Sequence, residues 1–357
     1  MKNILSIRLP GFGASLLFLL CQACTSTTSM QVLQPAELTI PEHIQTIATV
    51  DRSKPEKGWI TVLEGAISGE GIGQDKEGRR RALNGLTTTL TRTPRFEVRH
   101  TGMELTSSKG GGSLAPPLPW AEIEAICQRH DADAVVAIEM YDSDSYSSTS
   151  QTTEKRKDKD GNESVVTVFD SELEVSVQVG WRFYDPQNRI IIDEYTTRDD
   201  ADANGRGDTE ERALNDLPSV YSVVRDVSEI AGELYGMRIA PVWVNVNREF
   251  YTTAKGDFKA EMERANRYVK ANEWEQASAI WRRIVENGYD GKAAGRAALN
   301  IAVAHERLDQ LEKALEWAKR SYLDFDNKKA RHYMTVLEQR INDRRRIDYQ
   351  MNAGGND

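Results

Sequence analysis

Between Phe169 and Phe183 the chain alternates strictly. Phe169, Leu173, Val175, Val177, Val179, Trp181 and Phe183 fall on one face, and Asp170, Glu172, Glu174, Ser176, Gln178 and Arg182 on the other. Successive side chains of a strand point to opposite faces, so this pattern predicts a long strand with one buried side. "DPQN" then turns the chain into "RIIIDEYTT", completing a hairpin. Upstream, "HIQTIATV" reads as a buried strand, and "RRRALNGLTTTL" places Leu83, Leu86 and Leu90 on one helical face. "PRFEVRH" is a strand, "PWAEIEAICQRH" a helix and "DADAVVAIEMY" a strand, an alternation that predicts a helix-covered mixed sheet. A helix from about Glu210 to Gly236, broken near Pro218, precedes "APVWVNVNREFYT", which is expected to close this first domain as a strand, giving it bounds of 38–255.

From Phe258 the period changes to that of helices throughout. "ANRYVKANEWEQASAIWRRIV" aligns with "AVAHERLDQLEKALEWAKRSY" at an offset of 37 residues. Ala265, Tyr268, Trp274, Ala277 and Trp281 match Ala302, His305, Leu311, Ala314 and Ala318. The segment 256–346 resembles the tetratricopeptide family, whose repeat is about 34 residues, and the loop "ENGYDGKAAG" absorbs the excess. Small Ala277 and Ala314 stand where two helices must approach closely, and Asp309 replaces the usual turn glycine. Tyr268, Trp274, Trp281 and Trp317 are expected to pack between helices, as is His305, and "ARHYMTVLEQRINDRRR" to cap the stack before a disordered tail at 347–357. The fold class expected is α+β, an N-terminal mixed-sheet domain followed by an all-α repeat domain.

Composition adds a compartment. Lys2 and Arg8 precede an apolar run from Gly11 to Leu20, too short to span a bilayer but of ordinary length for a signal peptide, expected over 1–23. In "LLFLLCQACTSTTS", Ala23 before Cys24 makes a bacterial lipobox, although Cys21 stands where Leu or Val is usual; Cys24 is the expected lipidation site. A redox C-x-x-C would need the pair at a helix start after a strand. Residues 24–37 are polar and read as a flexible tether. Removal of the leader takes the formal charge from −9 to −11, a poor match for nucleic acid, and leaves Cys127 as the remaining thiol, expected in the core.

Candidate chemistry is sparse. Asp200, Asp202, Asn204, Asp208 and Glu211 fit a calcium-loop spacing with Gly205 at the turn, although the loop follows a strand and Gly207 replaces an aliphatic residue. A solvated connection is the competing reading. Gly69, Gly71 and Gly73 precede a helix but match neither nucleotide fingerprint, and Arg79 to Arg81 read as a solvated helix start. The five histidines lack zinc spacing, and "EKRKDKDGNES" is a neutral hairpin tip. No nucleophile signature is present, so an enzyme is not expected, nor any cofactor beyond a structural calcium ion.

"QVLQPAELTIPEHIQTIATVDRS", "LEGAISGEGIGQD", "WRFYDPQNRIIIDEYT" and "RIAPVWVNVNREFYT" resemble a family of bacterial envelope lipoproteins that join such a domain to a tetratricopeptide segment. The resemblance implies an outer-membrane lipoprotein of a Gram-negative cell, and no catalytic residues. The order "TIATV", helix, "PRFEV", helix, "DADAVVAIEM" is more distantly similar to the curli-secretion lipoproteins, which implies a pore as the alternative. A pore hairpin over 141–168 would have to alternate on both strands, and "DSDSYSSTSQTT" does not. The expected role is therefore a non-enzymatic scaffold or assembly factor, held to the membrane at Cys24 and binding an unidentified envelope protein through the repeats.

Overall fold

The computed structural model describes residues 24–55, 74–107, 114–157, 159–288 and 291–352. The expected signal peptide, Gly69, Gly71, Gly73 and the last five residues lie outside them. The strands are β1 (Thr25–Gln34), β2 (Thr46–Pro55), β3 (Glu97–Ser107), β4 (Ala134–Lys157), β5 (Glu163–Asp185), β6 (Ile190–Gly207) and β7 (Val242–Tyr251). The helices are α1 (Gln74–Arg92), α2 (Trp120–His130), α3 (Glu210–Asn215), α4 (Val220–Ile239), α5 (Lys259–Lys270), α6 (Trp274–Asn287), α7 (Gly291–Arg307), α8 (Leu311–Leu323) and α9 (Lys328–Met351), with one 3₁₀ turn at Gly256–Phe258. The fold class is α+β, and the chain divides into two compact units, one spanning Ala36–Val242, the other joining β1 to Trp243–Met351.

In the first unit the sheet order is β3-β2-β4-β5-β6, with β2 parallel to β3 and β4, and β4, β5 and β6 antiparallel. The alternating face of β5 is buried from Leu173 to Phe183 against α1 and α4, and Trp181 stacks on Tyr235 at 4.7 Å. Arg182 departs from its expected solvent-facing place. At that end α2 covers the second face with Ile123, Ile126 and Cys127, so Arg182 is only 4% exposed. Arg182 is satisfied by Glu194 at 2.6 Å, by the Ala115 carbonyl at 2.5 Å and by Glu139. Glu139, buried beside a register shift in β4, receives Arg52 at 2.5 Å and the Tyr184 hydroxyl. Burial raises its carboxyl above the usual range, opposed by Tyr184 and the two guanidinium groups. Arg52 also donates to the Pro116 carbonyl at 2.7 Å, so this network ties segment 114–119 to the sheet.

Helices α1 and α4 meet through small residues. A Cβ on Gly85 would lie 2.0 Å from the Glu229 carbonyl oxygen, and one on Gly232 1.9 Å from that of Ala82. Backbone faces backbone, with no flexible side chain to yield.

The second unit overturns three expected boundaries. Residues 25–34 form a strand rather than a flexible tether, because β1 pairs with β7 and buries Met30 and Val32 under the helices. Thr252 donates to the Cys24 carbonyl at 3.0 Å, which sets the start of β1 beside the end of β7 and makes the ribbon antiparallel. Most of β7, expected to close the first domain, lies in this unit, where Phe250 and Tyr251 join the helical core. The tail expected to be disordered from 347 instead continues α9 to Met351, since Ile347 and Gln350 extend its buried face past Tyr333 and Leu337.

The 37-residue period is visible in the backbone. Asn272 and Asp309 both take left-handed turns, at φ 62° and 57°, and Glu273 and Gln310 follow at φ/ψ of −95°/64° and −92°/65°. Glu273 N–H donates to the Tyr268 carbonyl at 2.8 Å and Gln310 N–H to that of His305 at 2.9 Å. Two helical hairpins, α5–α6 and α7–α8, thus share one turn geometry, and α9 follows them.

Gly232→Ala is expected to destabilise the first unit by about 1–3 kcal/mol through forced separation of α1 and α4. Chemical denaturation followed by Trp181 fluorescence measures it; an unchanged midpoint would refute the backbone contact.

Candidate functional site: a cleft on the helical unit

A cleft of about 580 Å³ opens on the second unit between the ribbon, the end of α7 and α9. Gln31, Val32 and Leu33 of β1 and half-exposed Trp243 of β7 form one wall. Glu306, Arg307 and Asp309 come from α7 and its turn, and Arg340, Arg344, Ile347 and Asp348 from α9.

Glu306 organises the site. Its side chain has no solvent exposure, yet it accepts both Arg248 nitrogens at 2.7 and 2.8 Å and the Tyr333 hydroxyl at 2.6 Å. Arg340 stands 3.6 Å away. Burial alone would lower the Arg248 pKa, but the bidentate bond to Glu306 raises it. Burial holds the Tyr333 phenol well above its ordinary value, with the Glu306 charge adding to it. Arg340 is shifted the other way, since desolvation outweighs Glu306, and its Nε has no hydrogen-bond partner. At the mouth Arg344 pairs with Asp309, and Arg307 donates to the Ser29 carbonyl at 3.0 Å while covering the Trp274 ring at 5.0 Å. Beside its carboxylates the cleft therefore offers arginines and an indole, residue types enriched at protein interfaces.

The repeat residues identified from the sequence form the core beneath this surface. Ala277, Ala302, Ala314 and Trp281 are fully buried, Trp274 and His305 nearly so, and Tyr268 and Trp317 pack at its margin. His305 Nδ1–H donates to Gln310 Oε1 at 2.8 Å, and desolvation lowers its pKa. None of these lines the cleft. Glu306, Arg248, Tyr333 and Arg340 went unidentified in the sequence; the one signal was a glutamate closing the otherwise apolar run "IAVAHE".

The calcium constellation is not assembled. Asp200, Asp202 and Asn204 lie within β6, opposite Ser176, Glu174 and Glu172, so their side chains are strung along a strand at about 7 Å per pair of residues instead of circling one point. Asp208 pairs with Arg212 at 2.6 Å, and Glu211 is exposed in the first turn of α3. Gly205 and Gly207 serve packing, because α3 backbone atoms approach within 2.2 and 2.6 Å of where their Cβ atoms would be. Among the described residues no group of three or more potential ligands could hold a metal ion.

A smaller cleft of about 350 Å³ lies in the first unit beside Asp51, Glu77 and His100. Arg79, expected in solvent, is buried there and pairs with Asp51 at 3.3 Å; Arg80 and Arg81 both bond Glu77. Among the described residues no helix is long and apolar enough to cross a membrane.

Residues 44–251 match the family model described as a domain of unknown function, DUF8603. The chain belongs to that family. Residues 263–339, the helical part of the second unit, match a second one, DUF6340, also described as a domain of unknown function. No curated protein matches the chain. Among solved structures it is similar to the PelC dodecamer from Paraburkholderia phytofirmans, with 13% identity, 60% of this chain and 99% of that chain covered, and a TM-score of 0.24. It is also similar to a putative neuraminyllactose-binding hemagglutinin homolog from Helicobacter pylori, with 15% identity, coverage of 55% and 83%, and a TM-score of 0.24.

Glu306→Gln is expected to cost about 3–5 kcal/mol, since it leaves Arg248 buried without its counter-charge. Thermal unfolding tests this, and a loss below that of Tyr333→Phe would show the ion pair to be unimportant. Calcium and chelator are each expected to leave the melting temperature of the chain unchanged; a calcium-dependent rise abolished by Asp202→Asn would reinstate the loop.

Proposed function

We propose that this chain is a lipid-anchored protein of the cell envelope, acylated at Cys24, whose helical unit binds another protein without catalysing a reaction. The observation that carries the reading is the conformational repeat, two hairpins with the same turn geometry 37 residues apart, beside a cleft walled by Trp243, Arg307 and Arg344. Stacked helical hairpins characteristically present such surfaces to protein segments. The lipobox at Cys24 and the resemblance to envelope lipoproteins supply the compartment, with an outer-membrane location the favoured one.

The alternative, an oligomeric secretion pore, draws on the long β4–β5 hairpin. Beyond Asp142, β4 carries Ser, Thr, Asp and charged residues on both faces, and Tyr146 and Val165 are isolated exposed apolar positions. A lipid-facing band needs an apolar residue at every second position of both strands, so the scaffold reading is preferred.

Substitution in the cleft is the appropriate test, because deleting the helices would strip Met30, Val32 and Phe250 of their cover. Trp243→Ala with Arg344→Glu is expected to abolish in-cell cross-linking to one envelope protein while leaving the circular dichroism spectrum intact. Recovery of nothing but copies of the chain in a large ring, unaffected by these changes, would favour the pore.

A further inference from the structure

We infer that the end of the helical unit bearing Cys24 is a membrane-contact surface that rests directly on lipid headgroups, with no flexible spacer between anchor and fold. The inference rests on the lipid-anchor reading of Cys24. Cys24 is itself held by the fold, since its carbonyl accepts Thr252 N–H, and β1 begins at the next residue. An acyl group on its sulfur therefore enters the bilayer within one side chain of the folded surface.

The surface next to that point suits a headgroup layer. Lys255 and Lys259 are exposed just beyond Thr252. Arg296 donates to the Thr253 carbonyl at 3.1 Å and lies 4.9 Å over the Tyr251 ring, with Lys329 5.8 Å from the same ring. Glu263 lies 3.9 Å from Lys259, Glu249 lies 2.7 Å from Lys329, and Asp257 and Glu261 are exposed nearby, so the patch carries both signs of charge, on a chain of net charge −9. The lysines of this patch are placed to pair with anionic headgroups beside an acyl anchor.

The same ribbon sets the reach of the cleft. Leu33 lies nine residues along β1 from Cys24, about 30 Å at the rise of an extended strand. Anchor and cleft thus occupy opposite ends of one rigid ribbon within a single unit.

The test uses the full-length chain, acylated in cells and reconstituted in phosphatidylethanolamine vesicles containing phosphatidylglycerol and a headgroup-attached quencher. A fluorophore is placed on Lys255→Cys or, as a comparison, on Asp348→Cys. Cys127 does not compete for label, because it is buried and its thiol is pushed up to about 12. Mass spectrometry of the N-terminal peptide reports acylation independently. The expected result is an acylated Cys24 with most fluorescence lost at position 255 and little at 348, the loss at 255 being relieved by a glycine-serine spacer after Cys24. Acylation with no quenching at 255 overturns the contact surface and leaves the lipid anchor standing. An unmodified Cys24 overturns both.

Discussion

The helical unit depends on a two-point hydrogen bond from Asn300. This side chain, buried in α7, accepts the Tyr251 N–H and donates to the Tyr251 carbonyl, both at 2.7 Å, standing in for a further strand along β7. A strand edge packed on a helix would otherwise carry unsatisfied backbone groups, each costing about 1–3 kcal/mol. With β7 held on α7, β1 has a partner, and with β1 in place the position of Cys24 is determined to within a residue. The whole of Ala36–Val242 is then, in chain order, an insertion between two strands of one ribbon.

Each unit also spends a buried carboxylate on holding distant segments together. Glu139 of β4 gathers Arg52 of β2 and Arg182 and Tyr184 of β5, and the two arginines go on to bond the carbonyls of 115 and 116. Glu306 gathers Arg248 of the ribbon and Tyr333 of the last helix. Buried ion pairs of this kind add little net stability over apolar packing but penalise any arrangement that leaves a charge alone. In the helical unit that penalty falls on the elements that wall the cleft, so the same interaction shapes the candidate binding surface.

Function follows from where these constraints leave exposed chemistry. The repeat cores are apolar and closed, with Ala277, Ala302 and Ala314 allowing the helices to touch. What remains accessible is an arginine-rich cleft with an exposed indole at one end of the ribbon, and Cys24, the proposed acylation site, at the other. A rigid ribbon keeps these two features about nine strand residues apart, which a flexible tether would not.

Much of this was legible in the chain itself. Alternation in Phe169–Phe183 and the helical faces of Leu83, Leu86 and Leu90 identified buried surfaces, because burial imposes a period that sequence displays directly. The 37-residue repeat was visible for the same reason, and its turns proved to share their backbone angles. Pairing partners were not visible. Thr25–Gln34 is too polar to announce a strand, and it becomes one because β7 offers an edge more than two hundred residues later. Likewise Asp200, Asp202 and Asn204 have the spacing of a cation loop, but pairing with β5 straightens them and disperses their oxygens. The sequence by itself determined which apolar faces must be buried and with what period; only the tertiary structure decided which strand meets which, and which charges are buried together, since those choices depend on contacts between residues that are far apart in the chain.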